Sequence, residues 1–170
     1  MIELYEPAQA TGGKVTYGAD NVSIKYPSVS TCLTLTLVCQ DALVGAHFGL
    51  YQAVQSAQPK LFTKGQAEKI TSAIAQLAMG RGVVKRALLV GCHDIWNTRN
   101  PDVYRALYGF CDTVDDSFGD LIMSGDWETG NLNGGNAVDL EVRRGSHQVI
   151  ITKTQTDGGG GLKIVAFTVT

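Results

Sequence analysis

No stretch of this 170-residue sequence approaches the ~20 apolar residues that a membrane-spanning helix needs, which argues against a membrane partner. The opening Met1-Ile2-Glu3-Leu4-Tyr5-Glu6 lacks the basic-then-apolar profile of a secretory leader. An excess of positive charge is missing too. The formal charge is −2 and the lysines and arginines are scattered, which leaves no field to attract nucleic acid. Cysteine is sparse: Cys32, Cys39, Cys92 and Cys111 show no CxxC spacing and are too few for a disulfide framework. A reducing cytoplasm fits that usage, as does delivery into another cell as a toxin-like effector.

Cofactor and metal signatures are equally absent. Thr11-Gly12-Gly13-Lys14 lacks both the spacing of a phosphate loop and the Ser or Thr after its lysine. Asp112, Asp115, Asp116, Asp120, Asp126 and Glu128 do not follow a calcium-loop pattern, so a solvated acidic loop is expected there. In Cys92-His93-Asp94, extended neighbours point to opposite sides and cannot act on one another; Cys92 is expected to pack and His93-Asp94 to begin a loop. His147, beside Arg143 and Arg144, reads as surface.

The length suits one domain, residues 1–170, able to bury roughly 70% of its unfolded surface. Short strand signals occur at Lys14–Tyr17 and Val22–Tyr26, the latter stopped by Pro27. A helix is expected over 66–79, with Thr63 and Gln66 forming a capping box and Gly80 ending it. Val83–Val90 reads as a strand, and a second helix starts with Asn100 as cap and Pro101 at its first position, running to about Phe110. Residues 112–136 look like a long surface loop. Three strands follow at Ala137–Arg143, Gln148–Thr154 and Leu162–Val169, the last two flanking the hairpin tip Asp157–Gly161. Strands and helices do not alternate regularly, so the class is α+β, a mainly antiparallel β-sheet or sandwich flanked by helices.

The informative segment is Cys32 to Gly49. Leu33-Thr34-Leu35-Thr36-Leu37-Val38-Cys39 alternates with period two, Leu43–Phe48 is a second strand-like run, and Gln40-Asp41 separates them, so a hairpin is expected. With an even turn, residue 34 faces 47, 36 faces 45 and 39 faces 42. His47 then shares a face with Thr34 and lies diagonal to Cys32, at a Cα separation of ~7–8 Å. An odd turn would move His47 to the face of Leu33, Leu35 and Leu37. The contrast between that leucine stripe and the small or polar set Cys32, Thr34, Thr36, Gly45, His47 and Gly49 favours the even turn, and a face of small groups leaves room for substrate. Taken singly, a strand Cys is usually a small buried hydrophobe and a strand His a structural imidazole. Together they suggest a nucleophile and its base.

Val29-Ser30-Thr31-Cys32-Leu33-Thr34-Leu35 followed by Gly45-Ala46-His47-Phe48-Gly49-Leu50 resembles the paired active-site strands of the CheD-type glutamine deamidases. The Ser-Thr-Cys opening, with Cys and His 15 residues apart, is also similar to the catalytic domains of cytotoxic necrotizing factors. More weakly, Ala73–Met79 with Val84–Leu88 resembles the CheD helix, glycine turn and strand, and Asn97-Thr98-Arg99-Asn100 the start of its next helix. Where CheD-like enzymes carry a Thr six residues before the Cys, this chain has Tyr26; necrotizing factors use a backbone carbonyl instead. The resemblance implies one CheD-like domain.

It also implies a cysteine-dependent deamidase that turns a protein glutamine into glutamate and ammonia without metal or cofactor, acting on a chemoreceptor, a host GTPase or another protein substrate carrying a glutamine. Cys32 is the expected nucleophile and His47 its base, with Tyr26 or a backbone carbonyl fixing the imidazole tautomer. Ser30, Thr31 and Thr34 are the candidates for oxyanion and substrate binding, with backbone N–H groups at Cys32 and a neighbour. Two other readings stand beside it: a non-catalytic domain that contacts a partner through its acidic 112–136 loop, and a peptidase or transglutaminase using the same pair.

Overall fold

The computed structural model describes residues 1–52, 58, 60–91, 93–116, 118, 138–145, 148–155 and 163–168. In chain order the elements are β1 (Ile2–Glu3), β2 (Tyr17–Asp20), β3 (Ser23–Val29), β4 (Leu33–Cys39), β5 (Leu43–Phe48), α1 (Lys64–Met79), β6 (Val84–Gly91), α2 (His93–Arg99), α3 (Pro101–Val114), β7 (Val138–Gly145), β8 (Gln148–Gln155) and β9 (Lys163–Thr168). They form two sheets, ordered β2-β5-β4-β6 and β1-β3-β7-β8-β9. Every neighbour pair is antiparallel except the short β1–β3 pair, so the class is α+β with antiparallel sheets.

The β4–β5 hairpin has the even register. Thr34 pairs with His47, Thr36 with Gly45 and Leu35 with Ala46, and the Cys39 N–H donates to the Ala42 carbonyl at 2.9 Å across Gln40-Asp41. One face carries Leu33, Leu35, Leu37, Val44, Ala46 and Phe48. It packs with Ala87 and Leu89 of β6 against the buried sides of α1 and α3, including Ile74, Val103 and Leu107. The opposite face was expected to stand open. Instead the second sheet covers it: Ile24, Tyr26, Leu140 and Val142 pack on Val38, Leu43, Leu88 and Val90, and every residue of β4 and β5 is buried. The hairpin is thus the middle layer between helices and a second sheet, and its polar groups need partners inside the protein.

Tyr26 joins the two sheets. Its fully buried hydroxyl donates to the Leu35 carbonyl at 3.0 Å and shares a 2.6 Å hydrogen bond with Thr36 Oγ1. Gly45 makes this possible, because a Cβ there would fall on the Tyr26 oxygen. Pro27 does not stop β3 as expected. The strand shifts register between Tyr26 and Val29, Ser28 takes a positive φ of 55°, and its N–H is satisfied by Asp139 Oδ1 at 3.0 Å. Such a bulge lets a strand absorb a residue that cannot donate.

Other departures from expectation have local causes. β2 begins at Tyr17 rather than Lys14, since Val15 pairs with Leu4 and the Thr16 carbonyl accepts the His47 N–H. The α1 capping box closes as expected and Gly80 ends the helix, though α1 starts at Lys64. Asn100 precedes Pro101, but its side chain does not cap α3; its amide donates to the Phe62 carbonyl at 2.8 Å. His93-Asp94 opens helix α2 rather than a loop, because the imidazole bridges the Leu89 carbonyl and the Tyr104 hydroxyl. α3 runs past Phe110 to Val114. Buried Asp115 then accepts the Ala87 N–H and faces Arg86, and Phe118 is buried, so the expected loop gives way to helix as far as Val114 and to buried side chains at 115 and 118. Residues 119–137, the Asp157–Gly161 tip, Cys92 and His147 lie outside the described residues.

Two substitutions test the Tyr26 junction by chemical denaturation. Gly45→Ala should destabilise by about 1–3 kcal/mol through overpacking. Tyr26→Phe should destabilise by a similar ~1–3 kcal/mol through its unpaired partners. The double variant removes the clashing oxygen, so its loss should fall short of the sum by at least ~0.5 kcal/mol. Strict additivity would mean that hydroxyl and glycine do not meet.

Candidate active site

Cys32 stands one residue before β4. Continuing the Leu33–Phe48 register puts it opposite Gly49, diagonal to His47 and on the same face. The backbone around it is held from two sides. Trp96 of α2, itself fully buried, donates its indole N–H to the Thr31 carbonyl at 2.8 Å. Gly91, paired with Leu33, has a φ of 150° and lies so close to the Cys32 carbonyl that a Cβ would fall on that oxygen. A side chain at 91 would push the cysteine backbone away.

His47 is 1% exposed and closely held. Its Nδ1 lies 2.8 Å from the Leu4 carbonyl, and its ring meets the Tyr26 ring edge-on, with centroids 5.8 Å apart. A carbonyl only accepts, so Nδ1 carries the proton and Nε2 the lone pair. That Nε2 is buried and finds no hydrogen-bond partner among the described residues. Burial pushes the imidazole down to about 4, against the opposing pull of the Leu4 carbonyl, so the ring is neutral at physiological pH.

Of the two groups expected to fix the imidazole, a backbone carbonyl occupies the position, that of Leu4. Tyr26 touches the ring only by its edge and spends its hydroxyl on β4; burial raises its pKa, which keeps it neutral. Thr34 was expected to face substrate, but its Oγ1 donates to the Val90 carbonyl at 3.0 Å and the residue is fully buried. Ser30 and Thr31 are half-buried on the approach to Cys32.

The group that sequence reasoning missed is Glu6. The Cys32 thiol donates to its Oε2 at 3.3 Å, and the same oxygen would lie 2.5 Å from a Cβ at Gly49. Nothing in the sequence pairs residue 6 with residue 32, because the contact arises from the path of the N-terminal segment. Leu4 donates to the Lys25 carbonyl and Tyr5 to the Val15 carbonyl, which carries the segment along β3 and over the hairpin. Cys32 itself is 2% exposed.

No protein-family model, curated protein or solved structure matches the chain. Among the other described thiols, burial raises the pKa of both Cys39 and Cys111, which disfavours the thiolate that a nucleophile needs. No cluster of potential metal ligands occurs among the described residues.

The buried neutral imidazole has a consequence for stability. Its folded pKa of about 4 lies below the unfolded value near ~6.5, so the unfolded chain takes up the proton first as pH falls. The contribution is full above about pH 6.5 and shrinks towards pH 4, by roughly 3 kcal/mol in all. Denaturation midpoints between those limits should therefore fall more steeply for the wild type than for His47→Asn. Parallel profiles would show that His47 is not buried in its neutral form.

Proposed function

We propose that the chain is a thiol hydrolase of CheD-like fold that deamidates a protein glutamine, with Cys32 as nucleophile and His47 as base. The observation that carries the reading is the state of the imidazole. It lies on the face of Cys32, its Nδ1–H is committed to the Leu4 carbonyl, and its buried Nε2 lone pair meets no donor among the described residues. A buried acceptor left unpaired typically costs ~1–3 kcal/mol, and a catalytic role is one of the reasons a protein retains such a group. The carbonyl-held imidazole also resembles the arrangement in necrotizing factors, and the two antiparallel sheets flanked by helices fit that fold.

The chemistry follows from those roles. His47 Nε2 takes the thiol proton, the sulfur attacks the glutamine δ-carbon, and the imidazolium returns the proton to the departing ammonia. Water, deprotonated by the same imidazole, then opens the thioester, giving glutamate and the thiol again. Leu4 keeps the ring in the useful tautomer throughout, the task a carboxylate performs in other triads. The backbone around Cys32, held by Trp96 and Gly91, gives the sulfur a fixed origin.

The depth of the pair favours a second reading, a non-catalytic domain of the same fold in which Cys32 and His47 only pack.

Ammonia release from a blocked glutaminyl-glycine dipeptide and from an unfolded glutamine-rich protein separates the readings. Cys32→Ser and His47→Ala should each lower turnover by at least ~10²-fold while keeping the wild-type circular dichroism. Incorporation of an added primary amine in place of ammonia release would make the enzyme a transglutaminase. Undiminished turnover in Cys32→Ser would remove the mechanism altogether.

A further inference from the structure

Glu6 is not a participant that the mechanism needs. A carboxylate 3.3 Å from a thiol accepts its proton as a hydrogen bond and repels the thiolate, so it opposes the ionisation on which attack depends. It also diverts the thiol. The proton points to Glu6, and His47 Nε2 makes no hydrogen bond to the sulfur. Chemically, this side chain is the product of glutamine deamidation: same length, with a carboxylate where the amide was.

The surroundings suit such an occupant. Gly49 leaves the space into which Oε2 projects, where a Cβ would lie 2.5 Å from that oxygen and 3.4 Å from the Glu6 Cβ. The backbone before Glu6 is fixed: Ile2 and Glu3 pair with β3, and Leu4 and Tyr5 are hydrogen-bonded to Lys25 and Val15. The turn Pro7–Gln9 follows it. Glu6 can therefore leave by rotating its side chain while Leu4 stays on His47, which separates the residue that orients the base from the one that covers the nucleophile.

We infer that Glu6 occupies, within the chain itself, the subsite that receives the glutamine side chain of the substrate, and that Cys32 engages His47 only when this internal product mimic withdraws. The inference rests on the deamidase reading above. It adds that the substrate presents its glutamine from an extended segment, as Leu4–Glu6 presents the glutamate. It also adds that the resting protein is held back by its own N-terminal strand.

Two variants test it. In Glu6→Ala, alkylation of Cys32 by iodoacetamide at neutral pH should quicken by about ten-fold or more, since both the cover and the repelling charge are gone. Turnover of the dipeptide should rise in parallel. Glu6→Gln is isosteric and places an amide against the sulfur. The sulfur attacks its carbon, ammonia leaves, and water releases the carboxylate, so the peptide spanning residue 6 should revert to the wild-type mass. The same peptide should stay unchanged when Cys32→Ser is added.

If the dipeptide is turned over but Glu6→Ala is no faster and the introduced amide persists, the subsite assignment is wrong and the deamidase reading stands. If neither the dipeptide nor the introduced amide is hydrolysed by wild type, Glu6→Ala or Glu6→Gln, both fall. Faster alkylation with reversion of the amide supports both.

Discussion

A hairpin buried on both faces has no water to turn to, and the polar side chains of β4 and β5 are arranged by that constraint. On the helix side the problem does not arise, because the leucine stripe lies in an apolar cluster with Val44, Ala46, Phe48, Ala87, Leu89 and the buried sides of α1 and α3. On the other side each polar group is answered by a specific partner. Thr34 reaches the Val90 carbonyl, Thr36 the Tyr26 hydroxyl, and His47 the Leu4 carbonyl. Leaving any of these groups without a partner would cost roughly 1–3 kcal/mol, so the second sheet and the N-terminal segment are held in register with the hairpin by hydrogen bonds as well as by packing. The exception is Nε2 of His47, which meets no partner among the described residues.

Much of this was legible in the residues. The contrast between Leu33, Leu35 and Leu37 and the threonines between them sets the parity of the Gln40-Asp41 turn, because a slip of one residue would carry three leucines to the other face. The Thr63-Gln66 box and Gly80 likewise mark both ends of α1 through interactions spanning three or four residues. What could not be read depends on distance along the chain. Period-two alternation with small polar residues describes a solvent-facing strand, and only the arrival of β3 and β7 changes its meaning. A hydroxyl at Tyr26 aimed between the sheets, and Gly45 shaped to admit it, are visible only once both sheets exist. The same holds for Asp115, whose carboxylate looks solvated in a run of acidic residues until it is found on the Ala87 N–H.

The site divides along the same line. Cys32 and His47 lie within one hairpin, so local pairing places them on one face. Leu4 and Glu6 come from a segment with little periodicity, and its route over β3 to the hairpin is set by Ile2–Glu3 pairing with Ile24–Lys25. A backbone carbonyl carries no sequence signature at all, which is why Tyr26 was a natural candidate for a task that Leu4 performs.

Burial of the pair sets limits on its resting state. An imidazole pushed down to about 4 is a weak base, and the thiol proton is donated to the Glu6 carboxylate rather than to that imidazole. Separating charge in a low-dielectric site is favourable only when thiolate and imidazolium lie against each other and no third charge intrudes. Glu6 is such a charge, while it remains against the thiol. With it gone, the same burial that weakens each group alone strengthens their mutual attraction, since no water screens the ion pair. On the proposed mechanism, one carboxylate side chain would shift the Cys-His pair between an inert and a reactive state without any movement of the hairpin that holds it.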